Sequence, residues 1–323
     1  MRKNEFIKQM NLAGKTKTPV LFIVDFEQKN YLLIKIPDGN TSGIFFNING
    51  IKNYKPANHK PGSILFDKSP VGFAAYRKAF SRVKKEINAG NTFLVNLTFP
   101  TPVKTNLELK EIFHFSRAKY KLIYKNKFVV FSPESFVRIN KGKIYSFPMK
   151  GTIDASIPGA SEIILNDEKE KAEHNTIVDL IRNDLSIVSK KVKVEKFRYI
   201  EKIKTNQKEL LQVSSKISGI LDGNYAENIG EIITSLLPAG SISGAPKKKT
   251  VEIIKKAEDY KRGFYTGIFG YFDGKNLDSA VMIRFIEKSG KELIYKSGGG
   301  ITSFSDVKKE YNEMVDKVYV PII

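Results

Sequence analysis

The feature that most constrains this fold is a run of alternating residues between positions 127 and 149. Its two arms, KFVVFSPESFVRI and KIYSFP, alternate as strands do, and turn residues 140–142 stand between them. A similar pair of strands is predicted in residues 19–36, and three more strands are predicted in residues 264–297. Because strands joined by short turns pair in opposite directions, the sequence predicts largely antiparallel sheets.

Several amphipathic segments between the strands predict helices. The longest covers residues 166–187, and Asn166 or Asp167 is expected to cap its amino end. The other predicted helices cover residues 71–89, the segment between Asn224 and Pro238, residues 247–261 and residues 305–318. This mixture of helices with hairpin strands places the chain in the α+β class.

The composition is that of an ordinary soluble globular protein, with 41% hydrophobic and 27% charged residues among 323. The absence of cysteine excludes a disulfide framework, a thiolate metal site and a cysteine nucleophile. No apolar run reaches the length of a signal-peptide core or a membrane span. A cytoplasmic protein with no membrane partner is therefore expected.

The formal net charge of +20, from 54 Lys and Arg against 34 Asp and Glu, raises the question of nucleic-acid binding. The excess is mostly lysine spread along the chain in short runs such as residues 247–249. No helix-turn-helix signature, Arg/Gly-rich arm or zinc-finger pattern accompanies it. A solvated lysine-rich surface is the favoured interpretation, and nucleic-acid binding and attraction of small anionic substrates are the alternatives.

Lys150 lies in the apolar, proline-containing stretch SFPMKGTID, where a strand is expected to end. Desolvation by Phe147, Pro148 and Met149 would lower the pKa of its amine and make the neutral form available as a nucleophile. Glu134, sixteen residues earlier on the opposite arm of the same hairpin, could then serve as a general acid. Taken alone, a lysine and a glutamate on one hairpin are more often structural than catalytic.

Two predicted helices carry carboxylates that could hold a metal ion. Glu173 precedes an apolar stripe on the helix over residues 166–187. Glu310 and Glu313 lie on neighbouring faces of one turn of the C-terminal helix, and hard oxygen ligands of this kind suit Mg²⁺. The alternatives are a helix-dipole role for Glu173 and an exposed salt bridge between Glu313 and Lys317.

An arginine and a glycine triplet could bind an anionic ligand. Arg284 lies in the apolar run SAVMIRFIE and needs an anionic partner, either an internal carboxylate or the carboxylate of a ligand. Gly298–Gly300 could expose backbone N–H groups as an anion-binding nest, or could form a simple turn. Residues 240–247, GSISGAPK, form a glycine-rich entry to a helix, but their spacing is not that of a nucleotide-binding loop.

Nine segments, taken in order, resemble the chorismate-utilising enzymes, a family that includes the anthranilate, aminodeoxychorismate, isochorismate and salicylate synthases. They are INAGNTFLVNLT, FSPESF, FPMKGT, EHNTIVDLIRNDL, LLPAGSISGAPKKKTVEIIKKAE, RGFYTGIFGYF, MIRF, SGGGITSFSD and KKEYNEM. The resemblance covers the chain from about residue 80 to its C-terminus. It implies one chorismate-binding domain over residues 1–323, a layered sandwich of two largely antiparallel sheets with helices outside, in which residues 1–70 complete the sheets.

Lys150 separates members of this family, because anthranilate synthases carry alanine in the Pro-Ile-Ala-Gly-Thr segment that matches PMKGT here. The lysine resembles that of aminodeoxychorismate synthase component I, which makes 4-amino-4-deoxychorismate from chorismate and ammonia for folate synthesis. The resemblance implies that Lys150 attacks the substrate ring and forms a covalent adduct. It also implies that Glu134 protonates the leaving hydroxyl, and that ammonia then displaces the lysine.

The resemblance further implies which residues contact the ligands. Glu173 and Glu313, with Glu310 through water, would hold a Mg²⁺ ion that bridges to one chorismate carboxylate. Contacts to the rest of the substrate, including its other carboxylate, are implied for Gly151, Thr152, Tyr265, Arg284, Gly298, Gly299 and Gly300.

One departure from the family pattern bears on the product. Anthranilate synthases have a histidine, associated with pyruvate elimination, at the position of Leu211 here. An enzyme that stops at the amino product fits this change, and an anthranilate or isochorismate synthase is the alternative. Because the chain has no cysteine for a glutaminase site, the resemblance implies a separate glutaminase subunit as the source of ammonia.

Overall fold

Eighteen strands and eight α-helices lie in the part of the chain that the computed structural model describes, residues 1–36, 43–56, 62–204 and 209–322. The strands are β1 (Val20–Val24), β2 (Tyr31–Lys35), β3 (Ile44–Ile48), β4 (Ile51–Lys52), β5 (Phe66–Lys68), β6 (Leu94–Thr105), β7 (Tyr120–Tyr124), β8 (Phe128–Ser132), β9 (Ser135–Asn140), β10 (Lys143–Ser146), β11 (Met149–Asp154), β12 (Lys190–Lys204), β13 (Glu209–Ile220), β14 (Gly244–Ala245), β15 (Ile268–Phe272), β16 (Leu277–Val281), β17 (Phe285–Ser289) and β18 (Glu292–Ile301). The helices are α1 (Lys3–Lys15), α2 (Phe73–Asn88), α3 (Leu109–Phe115), α4 (Ala160–Asn166), α5 (Glu168–Val188), α6 (Ile229–Ser235), α7 (Lys247–Ala257) and α8 (Val307–Asp316).

The strands form two nine-stranded sheets, and every pairing between described strands is antiparallel. The first sheet runs β11-β13-β10-β9-β16-β15-β1-β2, with β12 also paired to β13. The second runs β14-β6-β18-β17-β8-β7-β3-β4, with β5 also paired to β6. The predicted α+β class with antiparallel sheets is confirmed.

A hydrophobic layer lies between the two sheets. Strand β1, VLFIV, is buried at all five positions, and its side chains alternate between two environments. Leu21 and Ile23 join a cluster with Phe46 and Leu122 of the second sheet, whereas Phe22 joins the cluster that packs against the helices. A strand covered on both faces needs a continuous apolar run, which explains its sequence.

Helices cover the outer faces of the sheets, as predicted. The largest hydrophobic cluster joins residues of α1, α2, α5, α6 and α7 to the first sheet and to β6. A separate cluster packs α3 against the second sheet through Phe113 and Val129. None of the helices in the described part of the chain is long and apolar enough to cross a membrane.

The longest predicted helix is confirmed, whereas one group of predicted strands differs from the structure. The helix predicted over residues 166–187 is α5, and the short helix α4 ends just before it. Asp167 is extended and caps α5 by accepting a 2.8 Å hydrogen bond from the backbone N–H of Glu170. This confirms Asp167 as the cap. Residues 264–297 contain β15, β16, β17 and the beginning of β18 rather than three strands.

Two short links carry the chain between the sheets, and they lie side by side. Glu134 lies in the link from β8 of the second sheet to β9 of the first, and Arg284 lies in the link from β16 back to β17. The backbone N–H of Val281 donates to the carbonyl of Glu134 at 3.2 Å, and the N–H of Phe131 donates to that of Arg284 at 3.0 Å. The fold therefore brings these two charged residues to one place from positions 150 residues apart.

Candidate active site

Lys150 lies on β11, at a local irregularity of the first sheet. Strands β10 and β11 pair with successive parts of β13, so that β11 continues the hairpin arm beyond the break at Phe147 and Pro148. The register shifts between Lys150 and Thr152, and Gly151 between them has a φ of +67°. A side chain at that position would be strained and would lie 3.1 Å from Glu170 Oε2, so glycine is required there.

Lys150 forms an ion pair with Glu173 of α5, with 3.2 Å between its Nζ and Glu173 Oε2. The glutamate side chain is 6% exposed and the lysine side chain 22%. Burial would lower the pKa of Lys150, but the carboxylate of Glu173 outweighs it and raises the pKa above the ordinary value. The prediction of a lowered pKa is therefore wrong for this arrangement, because the sequence did not reveal the carboxylate beside the amine.

A second lysine, Lys169, forms ion pairs with both Glu173 and Glu310, two of the three predicted metal ligands. Lys169 Nζ lies 2.9 Å from Glu310 Oε1 and 3.8 Å from Glu173 Oε1. Glu310 is almost fully buried and also accepts a 2.7 Å hydrogen bond from the hydroxyl of Ser305. Helices α5 and α8, which are distant in sequence, therefore meet through Glu173, Lys169 and Glu310.

Glu313, the third predicted metal ligand, forms an ion pair with Lys317 instead of with Lys169. Its Oε1 lies 2.5 Å from Lys317 Nζ, so the alternative of an i,i+4 salt bridge is observed. Lys317 also donates to the carbonyl oxygen of Gly298 at 3.0 Å. Burial, together with the charges of Arg284 and Lys150, lowers the pKa of Lys317, although Glu313 opposes this shift. The cationic groups of Lys317, Arg284 and Lys150 are thus close enough to repel one another. An anion bound among them would be stabilised.

The glycine triplet forms the floor of this site on β18. A Cβ atom on Gly300 would lie 3.0 Å from Lys150 Nζ, and a Cβ on Gly299 would lie 3.4 Å from Glu310 Oε2. Gly298 packs against the backbone of β6, where a Cβ would overlap with the carbonyl of Leu97. The triplet is part of a continuous strand rather than a turn, and the lack of side chains lets the Lys150 amine and the Glu310 carboxylate approach its backbone closely.

Adding one methyl group at Gly300 should disturb the lysine selectively. The Gly300→Ala variant is expected to push the Lys150 amine away from Glu173 and to lower the kcat of the reaction at this site by about ten- to a hundredfold. Gly223→Ala is the matched control, since a Cβ there contacts nothing within 4 Å. The measurement is steady-state kinetics together with the melting temperature. An unchanged kcat in Gly300→Ala would contradict a role for the Lys150 amine in the reaction.

Glu134 accepts a very short hydrogen bond on its Oε1 from the hydroxyl of Ser241. Burial raises the pKa of Glu134 above the ordinary value, although Ser241 and the charges of Lys150, Lys317 and Arg284 oppose the shift. A carboxyl group with a raised pKa can hold a proton for donation at a higher pH than an ordinary glutamate. The position of Glu134 thus agrees with the predicted role of general acid.

Arg284 forms no ion pair with any carboxylate in the described residues. It does not lie inside a strand as predicted, but in the link between β16 and β17, with a φ of +53°. Tyr265 is buried nearby, and burial raises the pKa of its hydroxyl far above the ordinary value. A guanidinium without an internal carboxylate agrees with the alternative in which a ligand supplies the anion.

The donors present fit a magnesium ion in chemical type. Glu173 Oε1 is buried and accepts no hydrogen bond within the described residues, and the Lys169 ammonium already places positive charge between Glu173 and Glu310. Across the described ranges, however, no three His, Cys, Asp or Glu side chains are gathered closely enough to hold a metal ion. The predicted site at Glu173, Glu310 and Glu313 therefore stays a prediction.

The remaining predicted residues lie at the margin of the site. Thr152 is exposed and pairs with Gln212 of β13. Leu211 is buried and pairs with Ile153, two positions along β13 from Val213, the partner of Lys150.

Sequence reasoning missed Ser241 and Lys169. Lys169 precedes Glu173 by one helical turn, which is a usable signal. Nothing in the sequence links Ser241 to Glu134, 107 residues away.

A two-sheet α+β fold that gathers lysine, arginine and glutamate side chains beside a glycine strand defines a protein that binds a small carboxylate-bearing molecule. The chain belongs to the chorismate binding enzyme family, whose sequence profile matches residues 18–322. The match begins before the first motif at about residue 80 and includes strands β1 to β5.

Individual relatives agree with this family. The chain is 49% identical over 325 residues to an uncharacterized PabA-like protein of Pasteurella multocida, with both chains covered completely. It is 33% identical over 268 residues to aminodeoxychorismate synthase component 1 of Bacillus subtilis, covering 78% of this chain and 55% of that one.

Solved structures of the family share the fold. The menaquinone-specific isochorismate synthase MenF of Escherichia coli matches with a TM-score of 0.75 at 15% identity, covering 97% of this chain and 80% of that one. Anthranilate synthase component I of Streptococcus pneumoniae matches with a TM-score of 0.68 at 25% identity, covering 78% and 58%. These similarities confirm the predicted fold.

Proposed function

We propose that this protein is component I of an aminodeoxychorismate synthase, which converts chorismate and ammonia to 4-amino-4-deoxychorismate. The observation that carries the proposal is the position of Lys150, whose amine lies against Gly300 of the glycine strand and 3.2 Å from Glu173. Within this family the lysine of the PMKGT segment resembles that of the enzymes that aminate chorismate. The chain is 33% identical to the Bacillus subtilis aminodeoxychorismate synthase and 36% identical, over a shorter stretch, to an anthranilate synthase component 1 of Aquifex aeolicus, so the lysine rather than the overall identity favours amination.

The first step is attack by the Lys150 amine on the ring carbon of chorismate that bears no oxygen. The amine must be neutral for this attack, and the Glu173 carboxylate, 3.2 Å away, favours its protonated form, so the ion pair has to separate before the C–N bond forms. The new C–N bond forms as the ring double bond shifts and the C4–O bond breaks.

Glu134 supplies the proton that the leaving 4-hydroxyl needs in order to depart as water. Its raised pKa keeps it protonated at a higher pH than an ordinary glutamate, and Ser241 fixes the orientation of its carboxyl group. Ammonia then adds at ring carbon 4, the double bond shifts back, and Lys150 leaves as its amine. The balance is chorismate plus ammonia giving the amino product plus water.

The two substrate carboxylates are held by different groups. Arg284, Tyr265 and the backbone of Gly298–Gly300 would bind one of them, since Arg284 has no carboxylate partner among the described residues. Glu173, Glu310 and Glu313 would hold a Mg²⁺ ion, which when bound would neutralise the charge of the other carboxylate. Lys169 and Lys317 would have to give up their present ion pairs with these glutamates.

Ammonia would come from a glutaminase subunit, because the chain has no cysteine to build a glutaminase site of its own. The PabA-like name of the Pasteurella multocida relative is in line with this partner. Ammonium at high concentration should replace the partner in the test tube.

Product analysis tests the proposed function directly. The purified protein is incubated with chorismate, Mg²⁺ and ammonium, and the products are separated with and without an added aminodeoxychorismate lyase. An amino product that the lyase converts to 4-aminobenzoate is expected, and omitting Mg²⁺ or ammonium should remove it. The same incubation without protein is the control.

The alternatives give other products in the same assay. Anthranilate would identify an anthranilate synthase, and isochorismate formed without ammonium would identify an isochorismate synthase. Either result would overturn the proposal. Leu211, which takes the place of the histidine associated with pyruvate elimination, favours an enzyme that keeps the enolpyruvyl group on the product.

A further inference from the structure

The Arg284 guanidinium has an aromatic neighbour in place of a carboxylate. The centre of the Tyr319 ring lies 5.3 Å from Arg284 Cζ, within the range of a cation–π interaction. Tyr319 is 46% exposed, so the ring is not held there by burial in the core. An exposed ring placed over a charged group calls for an explanation other than hydrophobic packing.

Tyr319 belongs to a short segment after α8, residues 317–322, which we call the C-terminal strap. Its backbone is fixed at several points. The hydroxyl of the fully buried Tyr295 donates to the Tyr319 carbonyl at 3.1 Å, and the N–H of Arg117 donates to the Pro321 carbonyl at 2.9 Å. Ile322 forms an isolated bridge with Ser116. The strap therefore holds the Tyr319 ring in place through backbone contacts.

The Arg284 backbone is also fixed, whereas its side chain has no carboxylate partner among the described residues and contacts Tyr319 instead. Its carbonyl accepts from Phe131, and its φ of +53° sets the direction in which the side chain leaves the link. A long guanidinium side chain without an ion pair keeps rotamer freedom that it would lose on binding a ligand. A ring that stacks on the guanidinium before the ligand arrives reduces that loss.

We propose that Tyr319 is a positioning residue, which holds the Arg284 guanidinium in the orientation that receives the substrate carboxylate. This inference rests on the proposed role of Arg284 in binding chorismate. It does not depend on which product is formed, since any reaction of this site begins with binding of the carboxylate. Both parts of the side chain contribute, since the ring lies 5.3 Å from Arg284 Cζ and the hydroxyl group accepts a hydrogen bond from the guanidinium.

The test compares Tyr319→Leu with Tyr319→Phe in the full-length protein. Consumption of chorismate gives kcat and KM whatever the product, and the rise in melting temperature on adding chorismate reports binding without turnover. We expect Tyr319→Leu to raise the KM for chorismate about fivefold with little change in kcat, and to reduce the chorismate-induced rise in melting temperature. Tyr319→Phe, which keeps the ring but loses the hydroxyl contact with Arg284, should raise the KM less than Tyr319→Leu does.

Tyr54→Leu is the matched control, because it removes a ring that lies at the same 5.3 Å from the cation of Lys121, away from this site. It should leave the KM for chorismate unchanged. An unchanged KM in Tyr319→Leu, or a fall in kcat without a rise in KM, would overturn the proposal. A product other than the amino compound would overturn only the proposed function.

Discussion

The Lys150→Ala variant is expected to lose amination of chorismate by about a thousandfold or more while keeping the wild-type fold. The physical reason is position: the Lys150 amine lies against Gly300, whereas Lys317 lies beside Gly299 and Lys169 beside Glu310. The measurement is 4-aminobenzoate formed in the coupled assay with lyase, with circular dichroism to monitor the fold.

A second variant separates the nucleophile from the ion-pair partner. Lys150→Arg keeps a positive charge near Glu173 but cannot be deprotonated at neutral pH, so it should be as inactive as Lys150→Ala. Lys216→Ala serves as the control, because Lys216 forms a similar pair with Glu195, 2.6 Å apart, on the neighbouring strand β13. Full 4-aminobenzoate output from either Lys150 variant would remove the covalent adduct from the mechanism.

The Glu134→Gln variant is expected to lower kcat by about a hundred- to ten-thousandfold, the usual range for a general acid. The pH dependence gives a sharper result. Burial raises the pKa of Glu134, so the group stays protonated above the range of an ordinary glutamate, and kcat of the wild type should fall as the pH rises through that raised value. Glutamine does not titrate, so this alkaline limb should disappear from the small remaining activity.

Ser241 offers an independent check on the same group. Its hydrogen bond to Glu134 lowers the pKa against the effect of burial, so Ser241→Ala should move the alkaline limb to higher pH. Glu195→Gln is the control, because Glu195 accepts a 2.7 Å hydrogen bond from Ser218 away from the site. An unchanged limb in Glu134→Gln would assign the titration to another residue.

The sequence indicated that Lys150 is partly desolvated, but it did not indicate the direction in which the pKa of its amine is shifted. The apolar neighbours of Lys150 indicated desolvation, and desolvation is present. Desolvation alone would lower the pKa of the Lys150 amine, but the Glu173 carboxylate, 23 residues later in the sequence and 3.2 Å away, opposes this and the pKa is raised. A local pattern contains no information about a contact made through a helix packed on a sheet, so the direction of this shift could not be predicted from residues 146–154.

Strand periodicity likewise predicted the antiparallel sheets, but not where the chain changes sheet. SAVMIRFIE looks like one buried strand, although β16 ends at Val281 and β17 begins at Phe285 in the other sheet. The apolar residues on both sides are buried in either arrangement, so periodicity alone cannot locate the link. That link is the reason why Arg284 reaches the site, and the same is true of Glu134 between β8 and β9.

The family motifs begin at about residue 80, but the two sheets include strands that lie well before that position. Strands β1 and β2 extend the first sheet beyond β15, and β3 and β4 extend the second beyond β7. Without them, both sheets would end at long open edges flanked by residues such as Phe269 and Leu122, and such edges promote aggregation. A shortened version of this enzyme therefore has to begin before Val20, well ahead of its first recognisable motif.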